Sequence, residues 1–518
     1  MAQPLQSINL IAPGFKGVNT EDSPIAQDQS FADIADNAVI DKRGRIAARK
    51  GVVLLTTSGA TELGTDHIHR IHEFFDDAGN VEIFSATNNK ILKGTTTLTE
   101  VTPAAYTPTA NNWKIVNFND KAYFFQNNHE PLVYDNATGL RTFGTANGTT
   151  TPSYLYGSEA IAAYGRLWTV GGSDTQTIYW SDLLIGTSFT GGSSGSINVS
   201  KAWPDGSDEV VALAAHNNLL IIFGKHSILA YANAFSPAEM ALADTVAGVG
   251  CIDRNSVQHI GTDVLFLSSS GVRSFGRAVQ EKSLPLSDLS LNIKTELIEI
   301  VQLLTQPVQS VYSPENSFYL LTFPELSTTY CFDLKGTLEN RAYRVTKWVS
   351  APFKSFCQRK NGELLVGTLS GVGQYTGYSD LTESFRFRYY SPGLTFGDPS
   401  KLKMVKKLKP TIIGGNSSLV SVKWGYDFST SYNTLDFGVG NQVPFYFNEA
   451  TTQFGTSPDT GGTVFTEAEF TGGIITSRPT INTSGNGSIV TIGIEAEING
   501  FPLSLQEINV LALIGRTL

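Results

Sequence analysis

Three histidines, His67, His69 and His72, lie close together in the chain and come nearest to a metal-binding pattern. Imidazole nitrogens bind zinc, nickel and copper, usually beside cysteine or carboxylate ligands. A β-strand would place His67 and His69 on one face and turn His72 to the other, and the spacing fixes no fourth ligand. We therefore expect no metal ion, and interpret the histidines as lying on the exposed face and edge of a strand. The nearby carboxylates are Asp66, Glu73, Asp76 and Asp77.

A second short pattern, Gly191–Gly195, matches the Gly-x-Ser-x-Gly motif that surrounds the nucleophile of α/β-hydrolases. In those enzymes the serine follows a strand and precedes a helix, whereas here it lies in a loop of Gly, Ser and Thr, so we interpret it as a chance match. The cysteines, Cys251, Cys331 and Cys357, are too few and too scattered for a disulfide framework or a zinc site. We expect no catalytic residues and no cofactor.

A basic stretch, Lys401 to Lys409, carries more information. Read as a strand, it places four lysines on one face and the apolar residues Leu402, Met404 and Leu408 on the other. The four lysines are Lys401, Lys403, Lys407 and Lys409. Two interpretations remain open: a contact surface for another protein, or an edge strand that its lysines protect from aggregation.

The elements that must position these residues are mostly strands. Charged residues make up only 16% of the 518 residues, while Gly, Ser, Thr, Asn and aromatic residues are plentiful, a composition typical of strands joined by tight turns. The formal net charge of -10 argues against nucleic-acid binding through an overall basic surface. The sequence has neither a secretory signal pattern nor an apolar run of membrane-spanning length, so we expect a soluble chain that folds in the cytoplasm.

A hairpin unit recurs from about residue 65 to residue 380. Its clearest copy runs from Gln258 to Gly276: a turn, the apolar run Val264–Leu267, a polar turn, and a second strand that ends on Phe275. The other copies begin at Val81, Lys121, Arg166, Leu219, Ser317 and Glu363. Most second strands carry an aromatic residue near their end: Tyr134, Trp180, Tyr231, Phe275, Phe332 and Tyr375. The spacing fits one four-stranded propeller blade per copy.

We therefore predict a mainly β protein with a β-propeller-like body of six to eight blades; a set of β-sandwiches is the alternative. Within the propeller, an apolar stripe predicts one inserted amphipathic helix at residues 287–305, with Ser287 or Ser290 as its cap. The predicted domains are an irregular docking segment at 1–64, the propeller at 65–380 and an additional β-rich, sandwich-like C-terminal domain at 381–518. The first segment has too little core of its own, so it must pack on the following domain or on a partner subunit.

The order of several short motifs resembles that of the tail nozzle proteins of short-tailed bacteriophages, also called tail tubular protein B or stabilisation proteins. The matching motifs are 22–25 (Asp-Ser-Pro-Ile), 36–37 (Asp-Asn), 44–46 (Gly-Arg-Ile), 49–51 (Arg-Lys-Gly), 178–182, 219–228, 264–274 and 500–503. Each motif alone is short, and it is the shared order that carries the resemblance. Residues 385 to 490 match least.

The resemblance implies a virion protein without catalytic residues. Proteins of this family form a hexameric tube below a dodecameric adaptor ring, hold tail fibres or other appendages, retain the genome and conduct double-stranded DNA during ejection. We thus expect a homo-hexamer located in the virion tail and assembled in the host cytoplasm. The alternative is a carbohydrate-binding or carbohydrate-cleaving propeller of a phage tail; a third possibility is a monomeric interaction scaffold.

The acidic balance of the chain is compatible with a DNA conduit. A wall of net negative charge would not retain the phosphate backbone as Lys and Arg contacts do. Salt screens this repulsion beyond about 8 Å, so it matters only where a channel is narrow. We therefore expect carboxylates at a constriction and DNA passage without sequence-specific binding.

Overall fold

The computed structural model is mainly β, with 47% strand and 8% helix. It describes residues 5–11, 14–109, 112–281, 288–415, 418–439 and 476–517. The chain forms two compact units. The terminal unit contains both chain ends (residues 1–51, 344–348 and 376–518), and the propeller unit contains residues 52–343 and 349–375.

The propeller unit consists of successive small antiparallel sheets, which we number as blades in chain order. Their strands are Arg70–Phe75, Val81–Ala86, Ile91–Lys93 and Thr99–Glu100 (blade 1); Lys114–Phe118, Lys121–Phe125, Leu132–Asp135 and Gly139–Thr142 (blade 2); Ala160–Ala163, Arg166–Val170, Thr177–Trp180 and Gly195–Asn198 (blade 3); Val210–His216, Leu219–Gly224, Ser227–Ala232 and Ala241–Ala247 (blade 4); Gln258–His259, Val264–Ser268 and Gly271–Ser274 (blade 5); and Ser355–Gln358, Leu364–Gly367, Val372–Tyr375 and Val52–Leu54 (blade 6). The strands Gln309–Ser313, Phe318–Phe323 and Thr328–Thr337 form a further antiparallel set between blades 5 and 6. The predicted propeller of six to eight blades is confirmed.

The ring closes with a strand from the beginning of the unit. Val52–Leu54 pairs antiparallel with Val372–Tyr375, so the first strand of the unit completes its last blade. The innermost segments of neighbouring blades lie against one another around the ring, and the first strand of blade 6 contacts that of blade 1. Closure leaves only short sheet edges, which is the physical advantage of this fold.

Apolar side chains fill the spaces between blades. Between blades 1 and 2, for example, Phe74, Phe84, Phe124 and Tyr134 pack together with edge-to-face ring contacts. The aromatic residues that end the second strands are all buried, including Trp180 and Tyr231 between blades 3 and 4. They are therefore core residues that join neighbouring blades.

The predicted inserted helix exists but is shorter than residues 287–305. It consists of a 3-10 turn, Leu291–Ile293, followed by an α-helix, Lys294–Gln302. Leu289, Ile293 and Leu297 of the predicted stripe are buried, whereas Ile300 and Leu304 are only partly covered. Two other short helices span Phe143–Asn147 and Phe275–Glu281.

Ser290 occupies the N-cap position of the 3-10 turn, as predicted, but its side chain makes no capping hydrogen bond. Its hydroxyl donates to Asp288 and accepts the backbone N–H of Val272, so it joins the start of the inserted segment to blade 5. Ser287, the other predicted cap, lies outside the described residues.

The terminal unit contains two larger sheets. The first contains the long antiparallel pair Lys401–Gly414 and Leu503–Thr517, together with Gln6–Leu10, Ala38–Ile40, Ile46–Ala48, Thr476–Ser477 and Ile481–Asn482. The second contains Ile34–Asp36, Phe385–Tyr390, Val490–Ile498, Leu419–Tyr426 and Asn433–Gly438. A two-residue parallel pair, Gly17–Val18 with Phe31–Ala32, and residues 344–348 of the strand Tyr343–Val349 also belong to this unit.

N-terminal strands are thus interleaved with C-terminal ones. Gln6–Leu10 pairs with residues 508–512, and Ile34–Asp36 pairs with residues 388–390. The early segment obtains its core by joining these sheets, which accounts for its lack of a core of its own. Residues 451–463, whose Gly, Ser, Thr and Pro content is typical of a loop, lie outside the described residues.

Candidate functional site

A buried arginine organises the terminal unit. Arg49 is fully buried, and its guanidinium donates two hydrogen bonds to the carboxylate of Asp380, at 2.9 and 2.5 Å. Its Nε donates to Oδ1 of Asn37 at 3.0 Å. We call these three residues the Arg49 network. Such a bidentate pair has the fixed geometry that only arginine provides, and lysine could not reproduce it.

Aromatic rings enclose this network. The Arg49 guanidinium lies 4.1 Å from the centroid of the Phe385 ring and 5.8 Å from that of Trp348. Gly51 allows the same region to pack closely, because a Cβ at this position would lie 2.0 Å from the backbone oxygen of Ser379. Two motifs of the phage resemblance, at 36–37 and 49–51, therefore meet in one densely packed region.

The predicted lysine strand exists as Lys401–Gly414, but it is not a free edge. It pairs along its length with Leu503–Thr517, and on its other side with the short strands Thr476–Ser477 and Ile481–Asn482. Lys407 is exposed, whereas Lys401 and Lys409 are partly exposed. Lys401 forms an ion pair with Asp398 at 3.2 Å.

The expected single basic face needs one correction, because Lys403 is fully buried. Its ammonium donates to the backbone oxygen of Asp398. A register shift between Val405 and Lys407 changes the alternation, so Lys403 shares the buried face with Val405 while Leu408 remains buried beyond the shift. An outer basic surface can therefore include only the other three lysines, and its role as an interface stays a prediction.

Charged side chains meet around the middle of the propeller unit. Arg70, Lys114, Glu159, Asp253 and Arg254 each lie at or just before the innermost segment of a blade, and we call them the axial charge cluster. Glu159 is its centre: its Oε1 lies 3.2 Å from the Lys114 ammonium, and its Oε2 lies 3.9 Å from Nε of Arg254. These two contacts connect blades 2, 3 and 5.

Burial determines the electrostatics of this cluster. It lowers the pKa of Arg70, Lys114 and Arg254, because a charged form loses hydration. It raises the pKa of Asp253, whose carboxylate accepts the backbone N–H groups of Asn255 and Val308, both at 2.8 Å. The arrangement therefore favours mutual neutralisation of charges, a role in holding the ring together.

Sequence reasoning missed the axial charge cluster, because its members are far apart in the chain. The sequence did contain a signal in the positions of charged residues: one recurs at the start of the first strand in successive repeats, as Arg70, Lys114 and, one residue earlier, Glu159.

Burial near this cluster raises the pKa of the Cys357 thiol to about 11, so this cysteine is not an activated nucleophile.

The structure separates the three clustered histidines, but only His72 lies in a strand, Arg70–Phe75, whereas His67 and His69 lie just before it. The rings of His67 and His69 are 3.9 Å apart, while Nε2 of His72 bonds to Oδ1 of Asn117 at 2.8 Å. The expected exposure is wrong, however: His69 is buried, and the other two are partly buried. Asp66 joins His67 and His69, and among the described residues these three form the one group of potential metal ligands with mutually close ligand atoms.

The Gly191–Gly195 motif lacks the context of a hydrolase nucleophile. A strand, Gly195–Asn198, follows Ser193 where a hydrolase has a helix. The Ser193 hydroxyl donates to Asp182 at 2.7 Å and accepts from Arg166 at 3.0 Å, so it holds a turn together.

No family model and no curated protein matches the sequence. Among solved structures, the chain is similar to PorZ, a surface component of the type-IX secretion system of Porphyromonas gingivalis (12% identity, 73% of this chain, 46% of PorZ, TM-score 0.35). It is also similar to the extracellular domain of BT4673 from B. thetaiotaomicron (12% identity, 74% of this chain, 41% of that chain, TM-score 0.30). A further similar structure is the WD40 domain of Neurospora crassa Pan2 (9% identity, 65% of this chain, 98% of that chain, TM-score 0.36). The chain spans less than half of the first two proteins. Within the described ranges, no helix is long and apolar enough to cross a membrane.

Proposed function

We propose that this protein is a structural subunit of a bacteriophage tail, a nozzle protein that assembles as a hexameric ring below the adaptor, retains the genome and conducts DNA during ejection. The observation that carries the proposal is the shared order of short motifs with nozzle proteins. The propeller body is compatible with it, because that family is built on a propeller-like body.

The positions of the motifs support this proposal. The motifs at 178–182, 219–228 and 264–274 overlap strands of blades 3, 4 and 5. The motifs at 36–37 and 49–51 supply Asn37 and Arg49 to the Arg49 network. Residues with such specific packing roles characterise a fold better than scattered surface matches would.

Assembly state is the direct test. We expect a sixfold ring in electron micrographs of the purified protein, either alone or with the adaptor protein of the same phage. Sedimentation that yields only monomers, even with that adaptor, would refute the proposal. Cleavage of host polysaccharide by the purified monomer would instead favour the carbohydrate-cleaving propeller.

The conduit role makes a separate demand on the assembled ring. Once the ring is imaged, its narrowest section should carry carboxylates, so that phosphates pass without being retained. A bore lined mainly by Lys and Arg would contradict the conduit role while leaving a structural role in the tail intact.

A further inference from the structure

A cleft of about 280 Å³ opens in the propeller unit beside the segment that leads into blade 1. His67 and His69 form one wall, and Gln309, Glu325 and Lys354 contribute to the others. The cleft therefore combines two imidazoles with acidic, amide and basic groups, a set of side chains able to bind a metal ion together with a small polar ligand.

Asp66, His67 and His69 each offer a ligand atom, and these atoms lie within 4.8 Å of one another. Oδ1 of Asp66 is 2.9 Å from Nε2 of His69 and 3.8 Å from Nδ1 of His67. In a tetrahedral zinc site, metal–ligand bonds of about 2.1 Å place ligand atoms about 3.4 Å apart. The two distances from Asp66 lie on either side of that value, and the ligand atoms of the two histidines are within 4.8 Å of each other, so side-chain rotations could bring all three to one ion.

The backbone holds these ligands in place. Ile68 is fully buried between the two histidines, and its carbonyl accepts a hydrogen bond from the Ser355 hydroxyl at 2.7 Å. Asp66 is oriented by the backbone N–H groups of His67 and Asn88, at 2.8 and 2.7 Å. A site whose ligands are already oriented loses little conformational entropy when it binds an ion.

We propose that Asp66, His67 and His69 bind a divalent transition-metal ion of the class that imidazole prefers: zinc, nickel, copper or cobalt. In the metal-free protein, Nε2–H of neutral His69 donates to the Asp66 carboxylate. When the ion binds, neutral His69 carries its proton on Nδ1 instead of Nε2, and Nε2 binds the ion. No net proton transfer is needed.

Three protein ligands leave at least one coordination position for water or for a small ligand in the cleft. Lys354 and Glu325 line the same cleft and carry charges of opposite sign, and the Lys354 ammonium donates to the backbone oxygen of Pro324 at 2.7 Å. The proposal departs from the expectation of no metal ion drawn from the sequence, because the Asp66 carboxylate lies beside the two imidazoles. This inference does not rest on the proposed tail function.

The test uses the full chain, treated with a chelator and then titrated with cobalt(II). We expect one ion per chain, with visible absorption bands of low coordination number that zinc(II) abolishes by displacing cobalt. His67→Gln and His69→Gln should each weaken binding by more than about 100-fold, since changes to groups that only support ligands already cost 10- to 100-fold. His226→Gln is the matched control, because His226 is exposed and lies outside the cleft.

Folding is checked by the melting temperature without metal. The His67 side chain is 25% exposed, so His67→Gln should keep the metal-free melting temperature even if His69→Gln does not. Absence of stoichiometric binding at micromolar metal would overturn the proposal. Unchanged affinity in folded His67→Gln would overturn it too, because the ion would then bind elsewhere.

Discussion

Removing the charge of Arg49 should destabilise the terminal unit strongly. Arg49→Met keeps a long apolar side chain against Phe385 but leaves the Asp380 carboxylate without its two guanidinium hydrogen bonds. Removing one partner of a buried ion pair costs about 3–5 kcal/mol, because the remaining charge stays buried without compensation. Arg49 is fully buried and the Asp380 side chain is only 10% exposed, so solvent screening offsets little of this cost.

Hydrogen exchange followed by mass spectrometry measures this effect within the unit. If the unit loses about 3–5 kcal/mol of stability, the equilibrium constant for local opening of the strands Ile46–Ala48 and Phe385–Tyr390 should rise by roughly 140- to 3,700-fold. Arg43→Met is the matched control, since Arg43 is exposed in the same unit. The double variant Arg49→Met/Asp380→Leu should recover most of the loss, because an apolar pair can replace a buried ion pair.

A small increase in hydrogen exchange would refute this reasoning. If Arg49→Met increased exchange in these strands by less than about fivefold, equivalent to about 1 kcal/mol, the ion pair would contribute no more than a surface pair. Equal destabilisation by the single and double variants would show that the lost packing of arginine, rather than the uncompensated carboxylate, is responsible.

Three other changes are testable in the terminal unit. Burial raises the pKa of Asp33 to about 6 from 3.8, so the folded unit binds the proton more tightly than the unfolded chain and loses up to about 3 kcal/mol of stability as the pH rises from about 4 to 6. In denaturant unfolding, Asp33→Asn should reduce this loss and be more stable than the unchanged protein at pH 7. An unchanged dependence of stability on pH would contradict the assignment to Asp33. Gly51→Ala should lower the free energy of unfolding by about 1–3 kcal/mol in the same assay, because the new Cβ would overlap the Ser379 carbonyl. Gly438→Ala, with open space around the glycine, should lower it less, and equal effects would exclude the steric explanation. Changing the three outer lysines of the lysine strand to Glu should weaken ring assembly if that surface meets another subunit, with melting temperature as the folding control, and unchanged assembly would leave it a solvated surface. The lysines to change are Lys401, Lys407 and Lys409.

Local chemistry allowed the propeller to be predicted. The turns at Asn119-Asp120, Tyr164-Gly165 and Asn217-Asn218 have positive φ at both central residues, as two-residue hairpin turns of the favoured type require. Asn, Asp and Gly adopt that conformation most readily, so the sequence identifies the turns directly. The aromatic residues after them were recognisable for a similar reason, since each blade needs bulky side chains to fill the space beside its neighbour.

Long-range and register effects were not predictable. Arg49 and Asp380 are 331 residues apart, and nothing in either local sequence identifies the partner. One extra residue in the lysine strand placed Lys403 inside the unit, and strict alternation cannot reveal such a bulge. The group of potential metal ligands was not predicted, because a strand pattern fixes no further ligand for His67 and His69, whereas the folded segment brings the Asp66 carboxylate to the two imidazoles.

The pairing of Val52–Leu54 with Val372–Tyr375 also has a consequence during synthesis on the ribosome. The two strands are separated by 372 − 54 = 318 chain positions, which take roughly 16 to 64 s to translate at about 5–20 residues per second. Throughout that interval the early strand has no partner, and the last blade cannot be completed. Nascent chains stalled before residue 372 should therefore expose an open sheet edge and depend on chaperones, whereas chains released after the last strand has emerged should close the ring on their own.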